Sequence, residues 1–429
     1  LSKNVIGVGL LGMGTVGRGV YRILTENRSG IEQKVGVPVE IKKILVRDTA
    51  KNRGVQLEEG VLTADVDEVI NNPDIDIVVE VMGGIKPALP YALKALKNGK
   101  SLVTANKDMI AEHGKELFEA AEANNSDLLF EASVAGGIPI IRPLKECLAA
   151  NRIQQVIGII NGTTNYMLTR MSKEGLDFQT ALAEAQALGY AEADPSSDVE
   201  GYDAARKLAI LASIAFNTRV SLSQVYVEGI TRITAEDISY AADLNYVVKL
   251  LGIAKESEAG VEVHVHPAML PKTHPLAPVD DVYNAVFVSG DAVGDVMFFG
   301  RGAGELPTAS AVVADIMSAA RSKLKHVPGL YNCTCFDEKP VKSMGLTSTK
   351  YYIRLNVDDR PGVLASIAFV LGNNDVSLAS VIQKHTTGQA AEIVLVTHRV
   401  LEQNLQDALK IIKELSTVNE IANVIRVEE

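Results

Sequence analysis

The tightest constraint on this chain lies near its start. The apolar run Val5–Leu11 (VIGVGLL) breaks into Gly-Met-Gly-Thr-Val-Gly and then resumes as a helical pattern through Leu24. Gly12 permits a tight turn, Gly14 leaves the backbone open to close approach, and Gly17 lets the helix pack on the strand. The free N–H groups of the helix start attract phosphate oxygens. A glycine turn without a ligand is the plain alternative. The context argues against it, because the motif follows a strand, opens a helix and begins a βαβ unit.

The chain continues in the same style. Strands are expected at Val39–Val46, Ile75–Val81, Ser101–Thr104 and Asp127–Glu131, and helices at Ala88–Asn98 and His113–Asn124. This alternation predicts an α/β domain, a Rossmann-type doubly wound parallel sheet, over residues 1–135. From Gly136 the pattern mixes. Helix Ile140–Ala149, strand Ile153–Ile160, the turn-rich Asn161–Asn165, helices Tyr166–Lys173, Phe178–Leu188 and Tyr202–Phe216, and strands Val261–His266 and Ala285–Ser289 read as an α+β domain over 136–300. Helix Ala309–Arg321 follows the glycine-rich Gly300–Leu306 and is expected to return onto the first sheet, so that 301–325 complete the first domain. A linker fills 326–348. The remainder, 349–429, gives strand Tyr351–Val357, helix Gly362–Asn373, strands Val376–Lys384 and Ala391–Thr397, helix Leu401–Ser416 and strand Val418–Val427. That βαββαβ order is a ferredoxin-like unit and is expected to be autonomous.

Of 429 residues, 42 are Lys or Arg and 53 are Asp or Glu, a formal charge of −11. An acidic surface speaks against nucleic acid and against anionic membranes as partners. No apolar run reaches the roughly 18–20 residues that cross a bilayer. Val5–Leu11 is too short for a signal peptide and lacks a cleavage site. The three cysteines, Cys147, Cys333 and Cys335, make no disulfide framework, so a reducing cytoplasm is expected. Cys333 and Cys335 alone are a poor zinc site, and Cys147, in the helical run RPLKECLAA, is expected in the core.

Three further features carry chemistry. Arg47 and Asp48 close the second strand, where an acidic residue reads the ribose of NAD and an Arg accommodates the extra phosphate of NADP. Arg47 favours NADP and Asp48 keeps NAD open. Lys107, in Thr104-Ala105-Asn106-Lys107, follows a sheet strand at the carboxyl edge, where ligands of such sheets bind. The acidic stretch Glu192, Asp194, Asp198, Glu200 and Asp203 is broken by Pro195 and Gly201 and ends in a helix carrying Lys207. Asp203 and Lys207 are i,i+4 and share a face, backed by Leu208, Leu211, Ala212 and Ala215. As a surface pair they would contribute only about 0.3–0.5 kcal/mol.

Together GMGTVG, TANKD, FEASVAGGIPI (Phe130–Ile140), NGTTNYM (Asn161–Met167) and EADPSSDVEGYDAARK (Glu192–Lys207) resemble homoserine dehydrogenase over most of residues 1–325. The segment VDDRPGVLASIA (Val357–Ala368) is similar to the start of an ACT domain, a module that commonly binds amino acids. The resemblance implies reversible, NAD(P)-dependent oxidation of L-homoserine to L-aspartate 4-semialdehyde, in threonine, methionine and isoleucine biosynthesis. It implies Lys207 as general acid/base, Lys107 as a second functional lysine near the hydride, and Asp203 with them. It puts Glu192, Asp198, Gly162 and Thr163 at the substrate, and Gly12, Gly14, Thr15, Val16, Gly17, Arg47, Gly83, Lys107 and Gly302 at the cofactor. It also implies a monovalent cation, sodium, on the Glu131 carboxylate and the carbonyls of Val134, Gly136 and Ile138. A homodimer or homotetramer is expected, with threonine or another end product as effector at Asp359–Gly362. A tail kept only for subunit contacts is the competing reading.

Two other functions compete with this reading. Aspartate-semialdehyde dehydrogenase chemistry needs a nucleophilic Cys. A non-enzymatic nucleotide and amino-acid sensor would need neither Lys107 nor Lys207.

Overall fold

The computed structural model describes residues 4–327, 329, 332–387 and 390–428. Leu1, the linker positions Pro328, Leu330 and Tyr331, and Glu429 of the tail lie outside the described residues. The chain divides into two compact units. Leu1–Val156, Ala209–Leu222 and Asn284–Glu338 form the first; Ile157–Leu208, Ser223–Tyr283 and Lys339–Glu429 form the second.

In the first unit, β1 (Ile6–Leu11) leads through the glycine turn into α1 (Thr15–Glu26). Then come α2 (Arg28–Val35), β2 (Val39–Leu45), β3 (Leu62–Thr63), α3 (Asp67–Ile70), β4 (Ile77–Glu80), α4 (Ala88–Lys97), β5 (Ser101–Thr104), α5 (Lys107–Ala123) and β6 (Leu128–Leu129). The six strands are all parallel, in the order β3-β2-β1-β4-β5-β6. Every residue of β1 and β4 is buried, as central strands covered on both faces require. The order reverses between β1 and β4, which fixes the ligand crevice at their carboxyl ends. Gly12 has φ 108°. A Cβ on Gly17 would stand 2.4 Å from the Gly12 carbonyl oxygen, whereas one on Gly14 would meet nothing within 4 Å. The first contact closes the turn against the helix; the second position is the open one.

Next along the chain are β7 (Ile153–Ile159), α6 (Gly162–Glu174), α7 (Phe178–Ala187), α8 (Ser196–Val199), α9 (Tyr202–Ala215), β8 (Tyr226–Val227), α10 (Ala235–Asp243), β9 (Tyr246–Ser257), β10 (Gly260–Pro271), β11 (Tyr283–Gly290), β12 (Gly294–Arg301) and α11 (Glu305–Lys325). Helix α11 returns to the first sheet as expected: Ala309, Val312, Val313, Ile316 and Ala319 share one core with Ile6, Val8, Leu10, Val20 and Leu24. Gly19 allows this crossing, since a Cβ there would lie 2.5 Å from the Glu305 carbonyl oxygen.

Several expectations change. Helix α5 begins at Lys107, not His113, because the Asn106 side chain accepts the Met109 N–H and caps it. Asn161 caps α6 in the same way, four residues before the expected start. The expected helix Ile140–Ala149 shortens around a π-helical turn at Pro143–Cys147, and Cys147 is exposed, not in the core. Its neighbour Leu148 takes the buried side. The expected loop between Glu192 and Glu200 contains the short α8. Helix α10 and strands β9 and β12 carry no expectation at all.

The tail supplies β13 (Ser348–Asp358), α12 (Val363–Asn373), β14 (Leu378–Thr387), β15 (Ala390–Thr397), β16 (Val400–Leu401), α13 (Glu402–Lys413) and β17 (Val418–Val427). Its sheet order, β17-β13-β15-β14, is antiparallel throughout and matches the ferredoxin-like expectation. The sheet of the tail continues into the rest of the second unit. β17 pairs in parallel with β10, so the second unit runs β9-β10-β17-β13-β15-β14. Two buried arginines bind across this boundary. Arg354 Nε donates to Asp237 Oδ1 at 2.8 Å and its Nη1 to Glu392 Oε2 at 2.9 Å. Arg426 grips both oxygens of Glu402, at 2.9 and 2.8 Å, and donates to Glu228 at 2.7 Å.

Two substitutions test these contacts. Gly17→Ala is expected to destabilise by about 1–3 kcal/mol through overpacking, while Gly14→Ala leaves the thermal midpoint unchanged in calorimetry. Arg354→Met strands Asp237, fully buried, without its cation. Urea denaturation is expected to show a loss of about 3–5 kcal/mol.

Candidate functional site

At the carboxyl ends of β1 and β4 the first unit opens into a cleft of about 1760 Å³. Gly12, Gly14, Arg47 and Gly83 line it, as does Asp48, and Thr15, Val16 and Gly17 open α1 directly behind. Four cations, Arg47, Lys51, Arg53 and Lys86, stand on its walls. Asp48 Oδ1 accepts the Ala50 N–H at 2.9 Å, which commits that carboxylate in part to its own turn. Arg53 donates to the carbonyls of Lys51 and Asp48 and so ties the basic rim together. Positive charge there suits an additional phosphate.

The far side of the crevice is locked by a residue that the sequence reading missed. Glu80, fully buried at the end of β4, accepts the N–H groups of Met82 and Gly83 at 2.8 and 3.2 Å. Its other oxygen accepts the Thr104 hydroxyl at 2.7 Å, and Asn106 Nδ2 donates to the Gly84 carbonyl at 2.6 Å. This network joins the Gly83 loop to the β5–α5 turn and fixes half-buried Lys107 as the first residue of α5.

In the second unit the acidic stretch comes together only in part: Asp198 and Asp203 meet beside Lys207, while Glu192, Asp194 and Glu200 stay exposed. Lys207 Nζ donates to Asp203 Oδ2 at 2.6 Å and to the Ile160 carbonyl at 2.8 Å. Asn161 is the hub: its Nδ2 donates to Asp203 at 2.8 Å and to Asp198 at 2.7 Å, while its Oδ1 caps α6 through the Thr164 N–H. Burial, then the adjacent Asp203 charge, pushes the Asp198 carboxyl up. Lys207 and Asp203 side chains are only 14% and 10% exposed, so this pair differs from a solvated surface pair. Gly162 and Thr163 start α6 beside it, and the Thr163 hydroxyl donates to the Tyr190 carbonyl at 2.7 Å. Glu192 is exposed, and its carboxylate makes no hydrogen bond or ion pair among the described residues.

The segment after β6 fits a small cation in its donor chemistry. Glu131, 5% exposed, accepts the N–H groups of Ile140, Ile141 and Arg142 at 2.6, 2.7 and 2.8 Å. A carboxylate has about four acceptor positions, so one stays open. None of the backbone hydrogen bonds of the described residues ends on the carbonyls of Val134, Gly136 or Ile138. Asp315, also buried, takes the Glu131 N–H at 2.8 Å and pairs with Arg142 at 2.8 Å. Burial, then the Glu131 charge, pushes Asp315 up to about 7. Two buried carboxylates against one arginine leave a site that a monovalent cation would neutralise. Gly302 packs on this loop: a Cβ on Gly136 would lie 2.3 Å from the Gly302 carbonyl oxygen. In the tail, Gly362 has φ 90° ahead of α12, and a Cβ there would meet nothing within 4 Å.

Family models named homoserine dehydrogenase NAD binding domain, homoserine dehydrogenase and ACT domain match residues 12–131, 139–317 and 351–417. The chain is 46% identical to the homoserine dehydrogenase of Bacillus subtilis over 99% of both chains. It is also 46% identical to that of Corynebacterium glutamicum, over 99% of this chain and 96% of the relative. The crystal structure of a homoserine dehydrogenase from Thiobacillus denitrificans superposes with a TM-score of 0.94 at 43% identity, covering 99% of this chain and 98% of that one. A hyperthermophilic archaeal homoserine dehydrogenase in complex with NADPH matches 73% of this chain and 97% of its own, at 30% identity and a TM-score of 0.63. The nicotinamide-binding sheet, the mixed second unit and the C-terminal ACT module thus assign this chain to the homoserine dehydrogenase family of oxidoreductases.

Proposed function

We propose that this chain interconverts L-homoserine and L-aspartate 4-semialdehyde, with NADP preferred over NAD. The observation that carries the reading is the half-buried Lys207 ammonium, held by Asp203 and the Ile160 carbonyl. Four cations on the cleft at the glycine turn support the choice of NADP. When bound, the nicotinamide accepts or returns the hydride. Gly12, Gly14, Thr15, Val16, Gly17, Arg47, Gly83, Lys107 and Gly302 are the residues we assign to holding it.

The rest is work for this chain's own side chains. Lys207 takes the hydroxyl proton in oxidation and, as an ammonium, donates to the aldehyde oxygen in reduction. Asp203 orients Lys207, and Asn161 orients Asp203 and Asp198. Glu192, exposed and uncommitted, receives the substrate ammonium. Gly162 and Thr163, at the start of α6, offer N–H groups to the substrate carboxylate, and Lys107 adds positive charge at the cofactor end. A sodium ion on Glu131 and the carbonyls of Val134, Gly136 and Ile138 would offset the local excess of negative charge. Its role is structural.

The pathway reading is synthesis of threonine, methionine and isoleucine in the cytoplasm. Among the described residues no helix is long and apolar enough to cross a membrane. Self-association into a homodimer or homotetramer is supported by β12, an edge strand near which Val293, Met297 and Phe299 are exposed. We keep the domain limits 1–135 with 301–325, 136–300 and 349–429, joined by a linker over 326–348, as a functional division.

The direct test follows reduced-nicotinamide absorbance with homoserine and each cofactor in turn; no turnover with either would end the proposal. Lys207→Ala is expected to lower turnover by roughly 10²–10⁴-fold while cofactor affinity stays near wild type. Oxidation releases the hydroxyl proton and reduction takes one up, so oxidation is expected to accelerate with rising pH more than reduction does. Identical profiles in the two directions would count against a lysine acid/base. Calorimetric titration with threonine, methionine and isoleucine tests the tail: heat from threonine is expected, and silence from all three would leave it a contact domain.

A further inference from the structure

The dehydrogenase reading makes no use of Cys333 and Cys335. In the first unit they sit on the wall of a small, partly open recess, with Ser213, Arg219 and Lys145. The chain turns sharply here, the Phe336 N–H donating to the Thr334 carbonyl at 3.0 Å. The turn folds the Cys333 sulfur back over its neighbour, and the Cys335 N–H donates to Cys333 Sγ at 3.5 Å. Arg219 Nη2 reaches the same sulfur at 3.7 Å, and Cys335 Sγ lies 3.8 Å from the Ser213 carbonyl oxygen. Lys145 donates to the Asn332 carbonyl at 2.7 Å and stands over the rings of Phe118 and Phe130. Both thiols are half-buried, whereas Cys147 is exposed.

Charge separates the uses such a pair could have. Two cations beside two sulfurs repel a metal cation, and among the described residues no group of three His, Cys, Asp or Glu could complete a metal site. The same cations favour a thiolate, the form that attacks disulfides. We propose that Cys333 and Cys335 form a redox-active dithiol, with Cys333 as the attacking thiolate and Cys335 as the resolving thiol, that exchanges with low-molecular-weight disulfides.

The Cys335 thiol bonding to Cys333, the Cys335 N–H, and the charges of Arg219 and Lys145 pull Cys333 down to about 5 against burial. The same bond and burial push Cys335 up. In the first step the Cys333 thiolate attacks one sulfur of oxidised glutathione. A protein–glutathione S–S bond forms, and one glutathione leaves as thiolate. Cys333 then carries no charge, so ionising Cys335 no longer sets two negative sulfurs side by side. Cys335 loses its proton to solvent and attacks the Cys333 sulfur, expelling the second glutathione. The protein gives up two electrons and two protons, and the reagent is reduced to two thiols.

The test incubates the full chain with oxidised glutathione at neutral pH and reads intact mass and peptide maps. Wild type is expected to become lighter by two hydrogens, with a Cys333–Cys335 linkage. Cys335→Ser is expected to trap one glutathione on Cys333, Cys333→Ser to give neither product, and Cys147→Ser to behave as wild type. Arg219→Leu is expected to slow alkylation of Cys333 by iodoacetamide several-fold. The proposal fails if Cys335→Ser takes up no glutathione at Cys333, if wild type stops at a stable adduct, or if Cys147 accounts for the reaction. None of these readouts depends on homoserine turnover.

Discussion

Glu80, Glu131, Asp203 and Asp237 are buried carboxylates, and each must be met by donors or cost more than the fold can bear. The donors come from loops and from neighbouring helices and strands. Glu80 gathers two N–H groups and a hydroxyl across the ends of β4 and β5. Glu131 gathers three N–H groups from the stretch that follows it. Asp203 takes Asn161 and Lys207. Asp237 completes a capping box on α10 with Thr234 and also receives Arg354 and Asn423. Loops that would otherwise wander are thereby fixed beside the ends of the regular elements. The regular elements supply the platform, and the buried charges supply the precision.

Much of this platform could be read from the residues. The all-buried β1, the glycine turn and the βαββαβ tail each have a period or a punctuation that physics restricts. Asp203 and Lys207 could be paired because a helix brings i and i+4 together. Asn161 and Asn106 were legible in principle as N-caps after a strand, and reading them so would have lengthened α6 and α5 to their observed starts. Strand β9 was harder: an apolar run such as YVVKLLGIA suits a buried helix as well as a strand. Glu80 and Asp315 gave no local signal, since an acid in a sheet strand or an amphipathic helix looks like surface until the donors arrive. Arg354 meets Asp237 across 117 positions, a pairing that no local pattern contains.

Electrostatics also divides the molecule's ligands. The chain is acidic overall, yet Arg47, Lys51, Arg53 and Lys86 concentrate positive charge on one cleft. An acidic surface with a basic recess at the glycine turn screens out polyanions while admitting a compact phosphate ester. The second unit does the opposite, gathering Asp198 and Asp203 around a single lysine.

The position of β17 has a consequence for how the protein is made. This late strand lies between β10 and β13, pairing in parallel with one and antiparallel with the other. Until the ribosome has released residues up to Val427, β10 presents an unpaired edge of buried character, Ala268 and Met269 among it. The first unit, whose parallel sheet needs only α11 to be covered, can mature while that edge is still bare. The nucleotide-binding sheet can therefore fold while the second unit keeps an adhesive edge until its last strand slots in, an interval in which a chaperone would find its natural target.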